Sequence, residues 1–376
     1  MISLIWFPQE VFRQISEHLD PDDCMRMFLT CKTMYKRKNM LLLCKTFHVP
    51  EWNLAPPVDT WKQYAVASTI NVSGSFTPSS FRHFKKVKKL NLTKNTYVGD
   101  LWMFKGCKNM TFHNCNLHKL GFINSETLKI TNSTFEHGDI EGSFKCVELR
   151  DNEEESIKLI AKNCINVVVD NCIHFQLEKE NQIINIQARY LDLCALEGFA
   201  NIETVHLSEA TFGIDDITTE FKNVTTLTLI KCTIHGSLSG LNKCTKLELL
   251  ETDIDQDLHI PNARHITLLG CNIGQLIYIN ALPNLDTVRL CGRSFQNVDA
   301  TNAFSNARHL YVQDSPYLDA ACFPHVTLLH LIYVEIIDNI QEMKNLHTMH
   351  VIKKPRQLDF YMPSHVHVFV NQVQIQ

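Results

Sequence analysis

Three segments of the chain repeat one pattern: VTTLTLIKCTI at Val224–Ile234, CTKLELLETDI at Cys244–Ile254 and ARHITLLGCNI at Ala263–Ile273. In each segment an apolar or small residue stands at offsets 0, 3, 5, 8 and 10. The apolar residues at offsets 3 and 5 enclose one polar residue, a period of two that predicts a short strand with one buried face. Measured at offset 3, the pattern returns after 20 residues (247 − 227) and then after 19 (266 − 247). Such a period predicts a solenoid.

Apolar pairs with the same spacing can be followed along most of the chain. Their mean spacing, (368 − 70)/15, is close to 20 residues, so we expect short 3₁₀ or extended segments on the convex side instead of helices. The register is weakest between residues 167 and 205, where we expect a loop around Glu178 to Gln187. The sixteen predicted strands are centred on Ile70/Val72, Leu90/Leu92, Met110/Phe112, Leu128/Ile130, Val147/Leu149, Val167/Val169, Leu191/Leu193, Val205/Leu207, Leu227/Leu229, Leu247/Leu249, Ile266/Leu268, Val288/Leu290, Leu310/Val312, Leu329/Leu331, Met349/Val351 and Val368/Val370.

The repeats resemble the leucine-rich repeat, whose motif is L-x-x-L-x-L-x-x-N/C-x-L. Cys232, Thr252 and Cys271 stand at offset 8, where that family has Asn or Cys. A small or hydrogen-bonding side chain is needed there, because the chain turns inward and the backbone of the stacked loops must find partners. Val334 and Lys354 fit this position poorly. In the other repeats the position holds Asn95, Cys115, Ser133, Asn152, Cys172, Ala210 and Ser315.

Residues 7 to 47 have a different pattern, which predicts three short helices. Pro8 suits the first position of a helix, and Val11, Ile15 and Leu19 form one apolar face at a spacing of four. A second helix is predicted to begin at Asp20, which can cap it, and a third runs from about Thr33 into residues 41–43.

This N-terminal stretch resembles the F-box, the helical module by which substrate receptors attach to cullin-RING ubiquitin ligases. The resemblance is carried by the segments FPQEV at 7–11, DPDDC at 20–24 and TCK at 30–32, although Phe7 replaces the usual Leu and Met34 the usual Trp. It implies binding to a Skp-type adaptor and, through it, to a cullin. The residues implied in adaptor binding are Phe7, Pro8, Val11, Ile15, Leu19, Cys24 and Met34.

Together these patterns predict an α/β solenoid: a three-helix F-box followed by a leucine-rich-repeat-like parallel sheet of about 20-residue repeats. The predicted boundaries are 1–48 for the F-box, 49–68 for a joint that contains Trp52 and Trp61, and 69–376 for the repeat domain.

The composition indicates the cellular compartment and limits the kinds of partner expected. Fourteen Cys without a secretory signal predict reduced thiols in the cytoplasm or nucleus. Pairs such as Cys107/Cys115 and Cys164/Cys172 stand at the repeat's inward positions, so we expect core thiols and no metal site or cofactor. A net charge of −4 does not indicate binding to nucleic acid or a membrane surface. No phosphate-binding loop, nucleophile elbow or paired-carboxylate motif indicates catalysis.

The residue between the two apolar positions of each strand is predicted to point to the concave face. Over the last five strands these residues are Arg289, Tyr311, His330, His350 and Phe369, and His309 stands one position before a pair. Tyr, Arg and Phe are types that anchor protein interfaces. We therefore predict that these six residues bind the unknown target protein.

The combined interpretation is a substrate-recognition subunit of an SCF-type ubiquitin ligase, which makes no bond itself. Two alternatives remain open. One is a repeat scaffold for protein interaction without a link to ubiquitin. The other is a parallel β-helix carbohydrate enzyme, which would have several strands per turn and an exposed cluster of Asp, whereas the sequence indicates one strand per repeat.

Overall fold

The structure is a computed structural model, and it describes most of the repeat region. The chain forms two compact units, residues 1–182 and 183–376, called unit 1 and unit 2 below. The described residues are 46–49, 69–73, 87–94, 106–117, 120, 122–135, 139–152, 157–172, 175–177, 181–189, 192–193, 201–212, 221–234, 241–254, 260–271, 282–292, 304–352, 364–371 and 373–374.

Unit 1 is built from parallel strands. Seven of them form its main sheet in the order β1-β2-β3-β4-β7-β10-β12, with each strand one coil further along the chain. The strands are β1 (Thr46–Val49), β2 (Thr69–Ser73), β3 (Lys89–Thr93), β4 (Asn109–His113), β5 (Asn116–Leu117), β6 (Phe122–Asn124), β7 (Thr127–Thr131), β8 (Thr134–Phe135), β9 (Asp139–Ser143), β10 (Cys146–Arg150), β11 (Ile157–Lys162), β12 (Asn166–Asp170) and β13 (Phe175–Leu177).

Unit 2 continues the same plan. Its main sheet has the parallel order β14-β16-β18-β20-β22-β23-β24-β26-β28-β29, and β30 pairs antiparallel with β29. The strands are β14 (Asn185–Arg189), β15 (Asp192–Leu193), β16 (Thr204–Ser208), β17 (Thr211–Phe212), β18 (Thr226–Ile230), β19 (Thr233–Ile234), β20 (Lys246–Leu250), β21 (Asp253–Ile254), β22 (His265–Leu269), β23 (Thr287–Cys291), β24 (His309–Gln313), β25 (Tyr317–Asp319), β26 (Leu328–Ile332), β27 (Ile336–Asp338), β28 (Thr348–Ile352), β29 (His367–Val370) and β30 (Val373–Gln374).

The apolar pairs form the core, as the period of two requires. Fifteen of the sixteen predicted pairs lie in main-sheet strands; in β18, for example, Leu227 and Leu229 are fully buried. The pair Leu191/Leu193 is wrong, because the main-sheet strand of that coil is β14, whose buried residues are Ile186 and Ala188. The loop predicted around Glu178 to Gln187 is wrong at its end, because β14 begins at Asn185.

The corner after each main strand has a fixed geometry. The residue at offset 7 adopts a left-handed conformation in twelve of the coils; Asn114, Asn132 and Gly270 are examples. Its backbone N–H donates to a carbonyl of the next coil, as Asn114 does to Thr131 at 3.0 Å. Asn and Gly tolerate this conformation best and occupy five of these twelve corners, while the others hold Lys, Glu, Asp or Tyr.

The offset-8 residues then form a buried ladder, as predicted. The Asn152 side chain accepts from the Ser133 N–H (2.9 Å) and donates to the Ile130 carbonyl (3.3 Å). In unit 2 the Thr252 hydroxyl accepts from the Cys232 N–H at 3.3 Å. Val334 is also buried and fits the ladder after all, while Asn95 and Lys354 lie outside the described residues.

The predicted α/β class is wrong. The described residues contain strands and two 3₁₀ turns, Ala320–Cys322 and Ile340–Glu342, but no α-helix. A 20-residue coil uses its remaining length for short strands, which confirms the expected 3₁₀ and extended segments. In unit 1 these strands pair as β5–β8 and as β6-β9-β11-β13, and in unit 2 as β15-β17-β19-β21 and β25–β27.

Two other expectations from the sequence are not confirmed by this all-β fold. The expectation of one strand per repeat is wrong, since residues 127–143 alone carry β7, β8 and β9. The three-helix N-terminal module has no support in this all-β architecture, and residues 1–45 lie outside the described residues. The described part of the predicted 1–48 domain is Thr46–His48, which belongs to β1 and pairs with β2.

Candidate binding surface

The solvent side of the main sheet in unit 2 carries one aligned row of side chains. Strand pairing places Arg289 opposite Tyr311, Tyr311 opposite His330, His330 opposite His350 and His350 opposite Phe369. Parallel strands lie about 4.8 Å apart, so the row is about 19 Å long. The structure thus brings together five of the six residues predicted to bind the target.

Four of these side chains stack as rings. The ring centroids of Tyr311 and His330 are 4.5 Å apart, those of His330 and His350 are 4.5 Å apart, and those of His350 and Phe369 are 4.9 Å apart. The planes of successive rings differ by 10°, 12° and 16°. We call Tyr311, His330, His350 and Phe369 the aromatic ladder. Each ring packs against its neighbour, because the strand spacing of about 4.8 Å places the centroids within the range of offset stacked rings.

Arg289 covers one end of the aromatic ladder. Its guanidinium carbon lies 4.9 Å from the centroid of the Tyr311 ring, a cation–π contact. His309, the sixth predicted residue, precedes Tyr311 by two positions on the same side of β24. Its Nδ1 lies 3.6 Å from Oδ2 of Asp286. The surface therefore combines a continuous aromatic strip with one permanent positive charge.

The stacking restricts what the aromatic ladder can bind. The inner ring faces are covered by neighbouring rings, and one face of Tyr311 is covered by Arg289. A sugar or a nucleobase that stacks on an aromatic side chain needs a free ring face. The exposed parts are ring edges, which offer apolar C–H groups, imidazole nitrogens and the Tyr311 hydroxyl. Such a mixed strip suits the side chains and backbone of a protein partner.

The ladder should make the fold sensitive to acid. Partial burial, followed by the positive charges of His350, Arg289 and His309, lowers the pKa of the His330 imidazole. Between this lowered pKa and the ordinary value near 6.5, the unfolded chain binds more protons than the folded chain. The contribution of His330 is therefore complete above about pH 6.5 and decreases as the pH falls towards the lowered pKa.

We expect the melting temperature to fall on acidification from about pH 7.5 to about pH 5. His330→Phe keeps a ring in the stack but cannot be protonated, so it should reduce this fall. His206→Phe, on the solvent side of β16, is the matched control and should leave the fall unchanged. Differential scanning calorimetry at both pH values measures it, and an identical fall in the wild type and His330→Phe would contradict this role of His330.

The other predicted residues have different outcomes. The seven adaptor-binding residues Phe7, Pro8, Val11, Ile15, Leu19, Cys24 and Met34 lie outside the described residues. Eight of the described cysteines are buried free thiols, as predicted for core residues: Cys107, Cys115, Cys164, Cys172, Cys232, Cys244, Cys271 and Cys322.

Burial also makes these thiols poor nucleophiles. It raises the pKa of the Cys107 and Cys244 thiols to about 11 and that of the Cys164 thiol to about 12. Within the described ranges, no three His, Cys, Asp or Glu side chains are grouped so that they could hold a metal ion.

A polar groove beside the aromatic ladder was missed at the level of the sequence. Its volume is about 690 Å³, and it follows the residues that precede the main-sheet strands β22, β23, β24, β26 and β28. Its signal in the sequence is that Arg264, Arg308 and His347 each stand two positions before the first apolar residue of a pair, just outside the predicted strands. The lining residues that matter below are Arg264, Asp286, Arg308, Thr327 and His347.

Comparison with known proteins adds no family. A scan against protein-family models and a search of curated proteins found no match to this chain. Among the described residues, no helix has the length and apolar character needed to cross a membrane.

Proposed function

We propose that the chain is a non-catalytic binding scaffold and that the aromatic ladder with Arg289 is the centre of its protein-binding surface. The observation that carries the proposal is the stack of four partly exposed rings next to an exposed Arg. Tyr and Arg are enriched among residues that dominate binding energy. Because the rings already hold one another in place, a partner would immobilise little side-chain freedom on binding.

The test is removal of three ladder side chains together. Tyr311→Ser, His330→Ser and His350→Ser should leave the fold intact, because these side chains face solvent, and should lower recovery of the bound partner about tenfold or more. Quantitative affinity capture with mass spectrometry measures recovery, and a thermal melt checks the fold. Tyr317→Ser, His113→Ser and His206→Ser remove the same residue types elsewhere. Unchanged recovery in the ladder variant, or an equal loss in this control, would reject the proposal.

A narrower proposal is that the bound partner is a substrate of a ubiquitin ligase. It is supported only by the sequence motif of residues 7–34, because neither the solenoid nor the comparisons add to it. Deletion of residues 1–45, which keeps strand β1, should then remove a Skp-type adaptor and a cullin from the captured proteins and keep the ladder's partner. Capture of neither adaptor nor cullin by the full chain would end this narrower proposal.

The parallel β-helix carbohydrate enzyme is a second candidate, because several coils carry more than one strand. The solvent-side carboxylates argue for the non-catalytic proposal. Glu148 lies 2.9 Å from Lys129 and 2.6 Å from Arg150, and Glu248 accepts from the Thr228 hydroxyl at 2.9 Å. Burial would raise the pKa of Glu148, but Lys129 and Arg150 lower it overall, so this group is held as a carboxylate. We expect no release of reducing ends from a panel of polysaccharides, and release would favour the enzyme.

A further inference from the structure

The polar groove is fixed by the backbone of unit 2. Arg264, Asp286, Arg308, Thr327 and His347 occupy equivalent positions in successive coils. The carbonyl of each of the first four accepts two N–H groups of the next coil; that of Asp286, for example, accepts from Arg308 and His309, both at 2.9 Å. A tight turn precedes each strand, such as the one closed by the Leu285 N–H and the Leu282 carbonyl. The row is therefore as regular as the aromatic ladder.

The groove contains two cations that lack acidic partners. The side chains of Arg264 and Arg308 are exposed, and neither takes part in an ion pair within the part of the chain that the structure describes. Several other exposed basic residues meet acids across coils, including Lys108 with Glu126 at 2.8 Å and Arg189 with Glu209 at 3.3 Å. Two such cations in one groove, within a chain of net charge −4, give it a local positive charge.

Asp286 lies between these two arginines but is engaged elsewhere. Its Oδ2 accepts from the Thr287 hydroxyl at 3.0 Å and lies 3.6 Å from Nδ1 of His309. The two guanidinium groups are left for an external carboxylate, with which Arg can form two parallel hydrogen bonds.

The length of the groove indicates the kind of ligand. Five coils span four strand spacings, or about 19 Å, and an extended peptide advances about 3.3 Å per residue, so about six residues would fill it. A single phosphate or carboxylate ion would reach only one of the two arginines, which stand about 10 Å apart across two strand spacings.

We infer that the polar groove binds an acidic segment of a protein, with carboxylates on Arg264 and Arg308. The inference rests on the proposed function only in taking the partner to be a protein, and it adds the chemistry of that partner. The groove and the aromatic ladder run side by side, about three residues or 10 Å apart along the strands. One partner can therefore place an acidic stretch in the groove and an apolar surface on the ladder.

The test uses three probes on the full chain: a fluorescent octaglutamate peptide, an octaglutamine peptide and inorganic phosphate. We expect only octaglutamate to bind, more weakly at high salt. The double variant Arg264→Gln and Arg308→Gln should weaken it about tenfold. The matched control, Lys88→Gln with Lys222→Gln, removes the same charge from exposed residues of coils that do not line the groove and should have no effect.

Three results would overturn the inference: no binding of octaglutamate, an equal loss in the control variant, or phosphate that competes as tightly as the peptide. The outcome is separate from that of the ladder test. Octaglutamate should still bind when Tyr311, His330 and His350 are Ser, because the peptide occupies the groove alone. If that ladder variant keeps its partners while the arginine variant loses octaglutamate, the ladder proposal fails and the groove stands.

Discussion

Leu229→Asp should unfold the coils around β18. Leu229 is 1% exposed, and strand pairing places it between Leu207 and Leu249. The change removes about 1.5–3 kcal/mol of apolar burial and adds the cost of an unpaired charge, so we expect a loss of at least about 4 kcal/mol in the free energy of unfolding. Urea denaturation of the purified chain measures it.

Ile230→Asp is the matched control for this change. Ile230 follows directly in the same strand, but its side chain is half-buried on the solvent side. An Asp there can stay hydrated, so we expect a change within about 1 kcal/mol. Equal losses in the two variants would show that the alternation of buried and solvent-facing residues in β18 is wrong.

Asn152→Leu should have the second largest effect, because it disrupts the offset-8 ladder. The Asn152 side chain is the partner of the Ser133 N–H and the Ile130 carbonyl, all within the core. Leu has a similar size but leaves both backbone groups without this partner, at about 1–3 kcal/mol each. We expect the free energy of unfolding to fall by about 2–6 kcal/mol.

Asn152→Thr provides the comparison within the same ladder. At the equivalent position in unit 2, the Thr252 hydroxyl accepts from the Cys232 N–H and donates to the Leu229 carbonyl at 3.2 Å. A Thr at position 152 can make the same two bonds, so its loss should be clearly smaller than that of Leu. If Thr and Leu destabilise equally, hydrogen bonding is not the reason for the polar residues at this position.

The main sheet could be predicted from the sequence because two buried aliphatic residues repeat in almost every coil. The prediction is wrong where this signal weakens. In β14 the second buried residue is Ala188, which carries little apolar surface. The larger Leu191 and Leu193 nearby have the same spacing as an apolar pair, so the pattern predicts the main-sheet strand there instead. Strand β1 was missed because its partner strand begins 23 residues later (69 − 46) rather than about 20.

The rest of each coil could not be predicted by periodicity. Strands such as β5 (Asn116–Leu117) have two residues, too few to show alternation. They form because the neighbouring coil pairs with them, a long-range contact that local sequence does not encode. The α/β class was inferred from the N-terminal helical pattern, and the all-β repeats show how little that segment says about the coils after it.

Part of the candidate site could be predicted from the sequence, and part could not. The aromatic ladder could be predicted because its members occupy one position of a known register. The ring stacking needed the strand spacing as well, and the polar groove needed the turns before the strands. That Arg264 and Arg308 share one groove, and that no acidic residue of the described chain pairs with them, could be seen only in the structure.

The most direct test of the account is a cross-link from the aromatic ladder itself. Tyr311 is replaced by the photo-reactive residue p-benzoylphenylalanine, and Tyr317, which is 40% exposed on a different face of the same coil, is replaced likewise as the control. We predict a cross-link to a partner protein from position 311 and none from position 317. A cross-link from position 317 alone, or from neither position, would contradict the claim that the aromatic ladder binds a protein.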